Sequence, residues 1–145
     1  MIASATNRSD RALRVAELIR AIRGFHWVGL YDVTPTDIFA IAWTEKDAPA
    51  FPRFSINQGL NGAAVAARQH IIVQDVTKDS RYLTTFGSTR AEAIFVIASP
   101  SDGRIVATID VESDRVNAFT PDDESFLSSC VQMLRPLWIN AQNEF

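Results

Sequence analysis

Cysteine is almost missing from this chain: of 145 residues, only Cys130 carries a thiol. A lone cysteine cannot close an intramolecular disulfide, and it suits a reducing compartment. Histidine is nearly as scarce, with His26 and His70 the two copies, so a histidine-rich metal site is excluded. No apolar run reaches the roughly 20 residues that span a bilayer. No block of Lys and Arg exists either. The 14 basic residues are scattered among 17 acidic ones, for a net charge of −3. Nucleic-acid binding needs a concentrated positive face and is disfavoured. The segment Met1–Asp10 is polar and small, without the apolar stretch of a signal peptide. These absences point to a cytoplasmic protein with no nucleic-acid or membrane partner.

What is present is ordinary globular material, 47% apolar and 21% charged. A chain of this length fits one domain whose core needs no disulfide or metal to hold it. Residues 1–10 read as a flexible lead-in and 11–145 as the domain.

Between Arg11 and Arg23, Leu13, Ala16, Ile19 and Ile22 recur at helical spacing, joined by Val15 and Leu18. Gly24 is the natural stop. His26–Val33 and Ile38–Thr44 read as strands about a Thr34-Pro35-Thr36-Asp37 turn. Pro49 and Pro52 make 46–53 a loop. Phe54–Asn57 is a short strand at most, Gly59–Arg68 a short helix, and His70–Val73 a buried strand. The polar segment 75–90 has no period and reads as a long excursion with at most one helical turn. Ala93–Ser99 and Arg104–Glu112 are strands joined by Pro100-Ser101-Asp102-Gly103, a hairpin signal. Thr120-Pro121-Asp122-Asp123 opens a helix with a capping hydroxyl, a proline at the first position and acids in the first turn. Pro136 should end or kink that helix near Met133–Arg135. The fold class is α+β: an antiparallel sheet of about six strands with both terminal helices on one face, leaving the other to the loops.

Side chains alternate along a strand. In the last strand Ile105, Ala107, Ile109 and Val111 share the side expected to meet the helices, while Val106, Thr108, Asp110 and Glu112 share the other. Glu92 has the parity of Ile94 and Val96, and hairpin pairing brings it beside Asp110 and Glu112. Two readings of these three acids are open: charged strand ends meeting water, or a polar pocket for a cationic group in which crowded carboxylates raise one another's pKa.

Several segments resemble a known family. His26-Trp27-Val28-Gly29-Leu30-Tyr31 is similar to the first strand of GAF domains, above all of the small free methionine-(R)-sulfoxide reductases. Gly59-Leu60-Asn61-Gly62-Ala63-Ala64 resembles their helix-opening turn, Val73-Gln74-Asp75-Val76 the strand and exit that follow, Ala107–Ser113 their acidic strand, and Ala118–Asp123 the entry to their last helix. Glu92 stands where the family has an acid. The resemblance runs from about Ala12 to Val131 and implies a cavity covered by the loops between Thr44 and Arg90. It implies further that Trp27 and Tyr31 supply aromatic wall, and that Glu92, Asp110 and Glu112 hold the polar end of a ligand. The other reading of Trp27 and Tyr31 is core packing.

The departure from that family concerns chemistry. By the resemblance, the reductases' cysteine positions are Phe51, Asn61 and Thr85 here. Reducing a sulfoxide in that way needs an attacking thiolate and a resolving thiol, and none of these side chains serves. Cys130 sits in the last helix among Leu127, Val131 and Leu134, the setting of a small core residue. A hydrolase triad lacks its elbow motif, and Gly59–Gly62 is too short for a phosphate loop. No cyclic-nucleotide-selecting residue, tetrapyrrole cysteine or clear haem ligand is present, so no cofactor and no catalytic or metal-binding residue is assigned.

The expectation is therefore a sensory domain binding a small polar or amino-acid-like ligand through Trp27, Tyr31, Asn61, Glu92, Asp110 and Glu112. The alternatives are an interaction module whose pocket is plugged by Phe51 and Phe86, and an enzyme working with carboxylates alone. Self-association through the terminal helices, with Trp138 and Ile139 buried on a second copy, is a further expectation.

Overall fold

The computed structural model describes residues 5–44, 48–84 and 86–142. Helix α1 (Ala5–Arg23) leads into a hairpin of β1 (Trp27–Val33) and β2 (Asp37–Trp43). Strand β3 (Arg53–Ser55), helix α2 (Gly59–Ala67) and strand β4 (Ile71–Val73) follow, then the hairpin of β5 (Ala91–Ala98) and β6 (Ile105–Ser113), and helix α3 (Pro121–Gln142). The six strands form one antiparallel sheet in the order β3-β2-β1-β6-β5-β4. The expected α+β class holds. The excursion between β4 and β5 contains one 3₁₀ turn, Val76–Lys78, capped by the Asp75 carboxylate.

The helix ends obey local chemistry. Gly24 adopts φ +70° and donates its N–H to the Arg20 carbonyl, closing α1. At the start of α3 the Thr120 hydroxyl accepts from the Asp123 N–H while the Asp123 carboxylate accepts from the Thr120 N–H. This reciprocal cap satisfies two otherwise orphaned donors, and Arg23 Nε adds a third bond to Asp123 at 2.8 Å.

Both terminal helices cover one face of the sheet. Ala12, Ala16 and Ile19 of α1 and Leu127, Cys130, Val131 and Leu134 of α3 are buried with Val28, Leu30, Phe95, Ala107, Ile109 and Val111. Several details depart from the sequence expectations. The lead-in does not extend to residue 10, because α1 begins at Ala5 and Arg8 pairs with Asp32 at 2.5 Å. The buried stripe of α1 opens with two alanines, Ala12 and Ala16, before Ile19, whereas Leu18 and Ile22 remain 54% and 57% exposed. Strand β4 lies at the sheet edge, which leaves Ile71 and Ile72 half-buried.

Residues 105 and 106 exchange faces relative to simple alternation. Ile97 pairs with Ala107 and Ala98 with Ile105, so Val106 is an extra residue that bulges. It joins the helix side, while Ile105 joins the loop side.

Helix α3 runs through Pro136. Burial of Leu134 and Trp138 on either side of the proline anchors both halves and offsets the hydrogen bond it removes. Trp138 folds back on its own chain, donating Nε1–H to Asp32 at 2.5 Å beneath the Arg8 guanidinium. It is therefore not available to a second copy; the Ile139 side chain lies outside the described residues.

Candidate functional site

On the loop face the register sets side chains in rows. Trp27 pairs with Glu112 and Glu112 with Glu92; Gly29 pairs with Asp110 and Asp110 with Ile94; Tyr31 pairs with Thr108 and Thr108 with Val96. Three acids thus sit in two adjacent rows. None meets water: Glu92, Asp110 and Glu112 are 3%, 1% and 0% exposed. One carboxylate oxygen from each lies within 4.8 Å of the others. The reading of these acids as solvated strand ends is overturned, because the chain between β2 and β5 covers them.

Two glycines let α2 come down over this face. A Cβ on Gly62 would stand 2.6 Å from the Ile56 carbonyl oxygen, so that contact requires glycine. Gly59 has φ +72° and sits against Leu83. Between them, Asn61 is held above β6. Its Oδ1 accepts from Thr108 Oγ1 at 2.5 Å, and its Nδ2 donates to Asp110 Oδ2 at 3.2 Å. The Thr89 hydroxyl donates to Glu112 Oε1 at 2.7 Å. Asp110 Oδ1 is buried and accepts from no N–H or hydroxyl of the described residues.

The electrostatics follow from this enclosure. Burial pushes Glu92 well above the usual carboxylate range, and the neighbouring charges of Asp110 and Glu112 push it further. Burial also raises Asp110, to about 6, with hydrogen bonding to Glu92, Asn61 and Glu112 holding it back. Burial and the charges of Asp110, Glu112 and Glu92 raise the Tyr31 phenol well above its usual range. A proton on Glu92 turns a third negative charge into a donor towards its two neighbours. Among the described residues, ion pairs join Arg8 to Asp32, Arg23 to Asp123, Arg53 to Asp37 and Arg81 to Asp79; none reaches Glu92 or Asp110. An isolated buried carboxylate costs several kcal/mol. The oxygen-only donor set therefore suits an ammonium group or a hard cation.

The acids border a cavity lined by Tyr31, Phe51, Phe54, Gly59, Leu60, Asn61, Leu83, Glu92 and Asp110. Its free volume is about 10 Å³, the threshold for a single water.

A family model for the GAF domain matches residues 7–135. The chain belongs to the GAF domain family. GAF domain-containing protein A of Dictyostelium discoideum is 25% identical over 132 residues, which span 89% of this chain and 82% of that protein. The type II free methionine-R-sulfoxide reductase of Thermoplasma acidophilum superposes with a TM-score of 0.85 at 23% identity, covering 92% of this chain and 93% of that one. The free methionine-R-sulfoxide reductase of Neisseria meningitidis, in complex with its substrate, gives 0.84 at 20% identity, over 95% of this chain and 81% of that one. At these identities the likeness to the two reductases is one of fold. No helix among the described residues of this GAF domain is long and apolar enough to cross a membrane.

Of the six residues singled out in the sequence, Tyr31, Asn61, Glu92 and Asp110 line the cavity, and Glu112 completes the acid cluster. Trp27 does not line it. Its ring lies over Gly29, where a Cβ would come within 2.4 Å of it, and meets Phe86 edge-on at 5.3 Å. It packs in one buried cluster with Tyr31 and Ile38. Phe51 borders the cavity and is 46% exposed; Thr85 lies outside the described residues. Cys130 is buried on the helix face, on the far side of the sheet, where burial pushes its thiol up to about 11. Sequence reasoning gave no role to Thr89 or Thr108. Thr108 shares a strand face with Asp110, so period-two alternation carried its signal; Thr89 lies in the aperiodic excursion and had none.

Proposed function

We propose that this GAF domain is a sensory module that binds a small ligand through a cationic amine, with an amino-acid-like body as the best match. The observation that carries this reading is the burial of Glu92 and Asp110 without an ion-pair partner among the described residues. Folding bears the desolvation of these acids, and a bound ammonium repays it through charge-assisted hydrogen bonds. GAF domains are in general small-molecule-binding or sensory modules. The resemblance to methionine sulfoxide reductases, together with the placement of the single thiol across the sheet, favours retention of the amine-binding half of such a site without its thiol chemistry.

Small-molecule pockets commonly measure about 300–1,000 Å³, far more than the 10 Å³ free here. Ligand entry therefore requires the cavity to widen, with Phe51 and Leu83, two lining side chains contributed by the loops, as the residues to move. The same small volume supports a second reading, an interaction module whose interior its own side chains fill.

A thermal-shift and native mass-spectrometry panel of free amino acids and simple amines separates the two. An α-amino compound at 100 times its Kd should stabilise the fold by about 2.7 kcal/mol. Its N-acetylated counterpart should not, and Asp110→Asn should abolish the effect. A panel without a single amine-dependent shift would sink the receptor reading and leave the filled module.

A further inference from the structure

We infer that Thr108 and Asn61 are positioning residues that hold the Asp110 carboxylate in one orientation, with Oδ2 tied down and Oδ1 presented to a donor on the ligand. The inference rests on the receptor reading and concerns how the site selects what it binds. It starts from the chemistry of an amide, which has one accepting and one donating end. Asn61 is 5% exposed and Thr108 is fully buried, so water does not compete for either. The Thr108 hydroxyl donates to Asn61 Oδ1, which directs the Asn61 NH₂ at Asp110 Oδ2. A flipped amide would set its carbonyl against the carboxylate, two acceptors facing each other. The three side chains form one directed chain, Thr108 to Asn61 to Asp110.

Its consequence falls on the atom left over. Asp110 Oδ1 has no N–H or hydroxyl donor among the described residues, and Asp110 lines the cavity. When Glu92 carries the proton, its carboxyl also donates to Asp110, so a ligand ammonium or amide N–H joins or replaces that bond, while acceptor-only groups are repelled. The titratable groups facing Asp110 are Glu92 from β5, Glu112 from its own strand and Tyr31 from β1; α2 contributes the neutral Asn61. Because the chain donates to Asp110 and not to Glu92, it favours the charge on Asp110 and the proton on Glu92.

The test needs no ligand. Side-chain carboxyl carbons of the ligand-free protein are followed by ¹³C NMR between about pH 4 and 9 in wild type, Thr108→Val and Thr108→Ser. Valine keeps the shape of threonine and removes the hydroxyl. The Asp110 midpoint should rise by about half a pH unit or more, roughly threefold in proton affinity, and serine should restore it. A purely structural role for Thr108 would lower the melting temperature and leave the midpoint in place. An unmoved midpoint in Thr108→Val overturns the inference. Should that variant not fold, Asn61→Ser, which removes the amide, takes its place with the same expected rise and the same overturning result. Failure to find any amine ligand would count against the receptor reading and would not alter this titration.

Discussion

Ile109 and Asp110 are neighbours in β6, both closed off from water, and they face opposite layers of the same sheet. Ile109 joins a continuous apolar layer under α1 and α3, while Asp110 joins two other acids under α2 and the loops. Burial on the helix side removes apolar surface from water and is the favourable term in folding. Burial on the loop side strips carboxylates of water and opposes folding. One strand therefore carries both the part of the molecule that holds the fold together and the part the fold must tolerate. This tolerated burial of charge is the feature on which the proposed binding role of the loop face rests.

The sharpest way to break this contrast is to truncate each neighbour in turn. Ile109→Ala should destabilise by about 2–5 kcal/mol, through lost transfer free energy and the cavity left behind. Asp110→Asn keeps the shape, still accepts from Asn61 Nδ2 and removes a charge; at pH 8 it should be neutral or stabilising. Urea unfolding of both variants measures the difference. If Asp110→Asn costs as much as Ile109→Ala, Asp110 has a compensating partner and the two faces are energetically alike.

A second effect, on the order of 2–3 kcal/mol from Asp110 alone, is read from pH. The folded state raises Asp110 from 3.8 to about 6 and raises Glu92 as well. Between about pH 4 and 6 the native protein then binds more protons than the unfolded chain, so stability falls as pH rises through this window and continues to fall while Glu92 titrates. The contribution is fully present below pH 4 and is lost above the folded-state values. Glu92→Gln should flatten the slope. A wild-type stability that climbs steadily from pH 5 to 8 would contradict the acid-lined interior.

The two faces also differed in how much of them the sequence disclosed. Period-two alternation in β5 and β6 brought Glu92, Asp110 and Glu112 together correctly, because a regular hairpin turns spacing into contact. It failed at Val106, where a bulge shifts the register, and bulges leave no periodic trace. Helical spacing found α1, yet chose Leu18 and Ile22 over Ala12 as buried residues, because periodicity weighs size and the buried stripe opens with two alanines. The polar bridge through Asn61 was legible only in part. Gly59 and Gly62 marked a tight turn, but the bond to Thr108 joins residues 47 positions apart, and nothing local announces it. The cover over the acids, drawn from segments with no period, was the least legible of all.

The smallest effect concerns an acid on the helix side and has the opposite sign with pH. Burial alone would raise Asp123, but hydrogen bonds from Thr120 and Arg23 outweigh it and hold the carboxyl below its usual value. Its stabilising contribution is therefore present above about pH 4 and lost as pH falls through the lowered folded-state value. Asp123→Ala removes the carboxylate's half of the reciprocal cap of α3 and the bond from Arg23, leaving the Thr120 hydroxyl bond in place, and should cost about 1 kcal/mol at pH 7. That loss should shrink towards zero in strong acid, whereas the gain from Asp110→Asn should shrink as pH falls below 6, where wild-type Asp110 is already protonated. Opposite trends in the two variants, measured by urea unfolding across pH 3 to 8, would separate an acid that holds the fold together from one whose charge the fold only tolerates; parallel trends would place both acids in the same role.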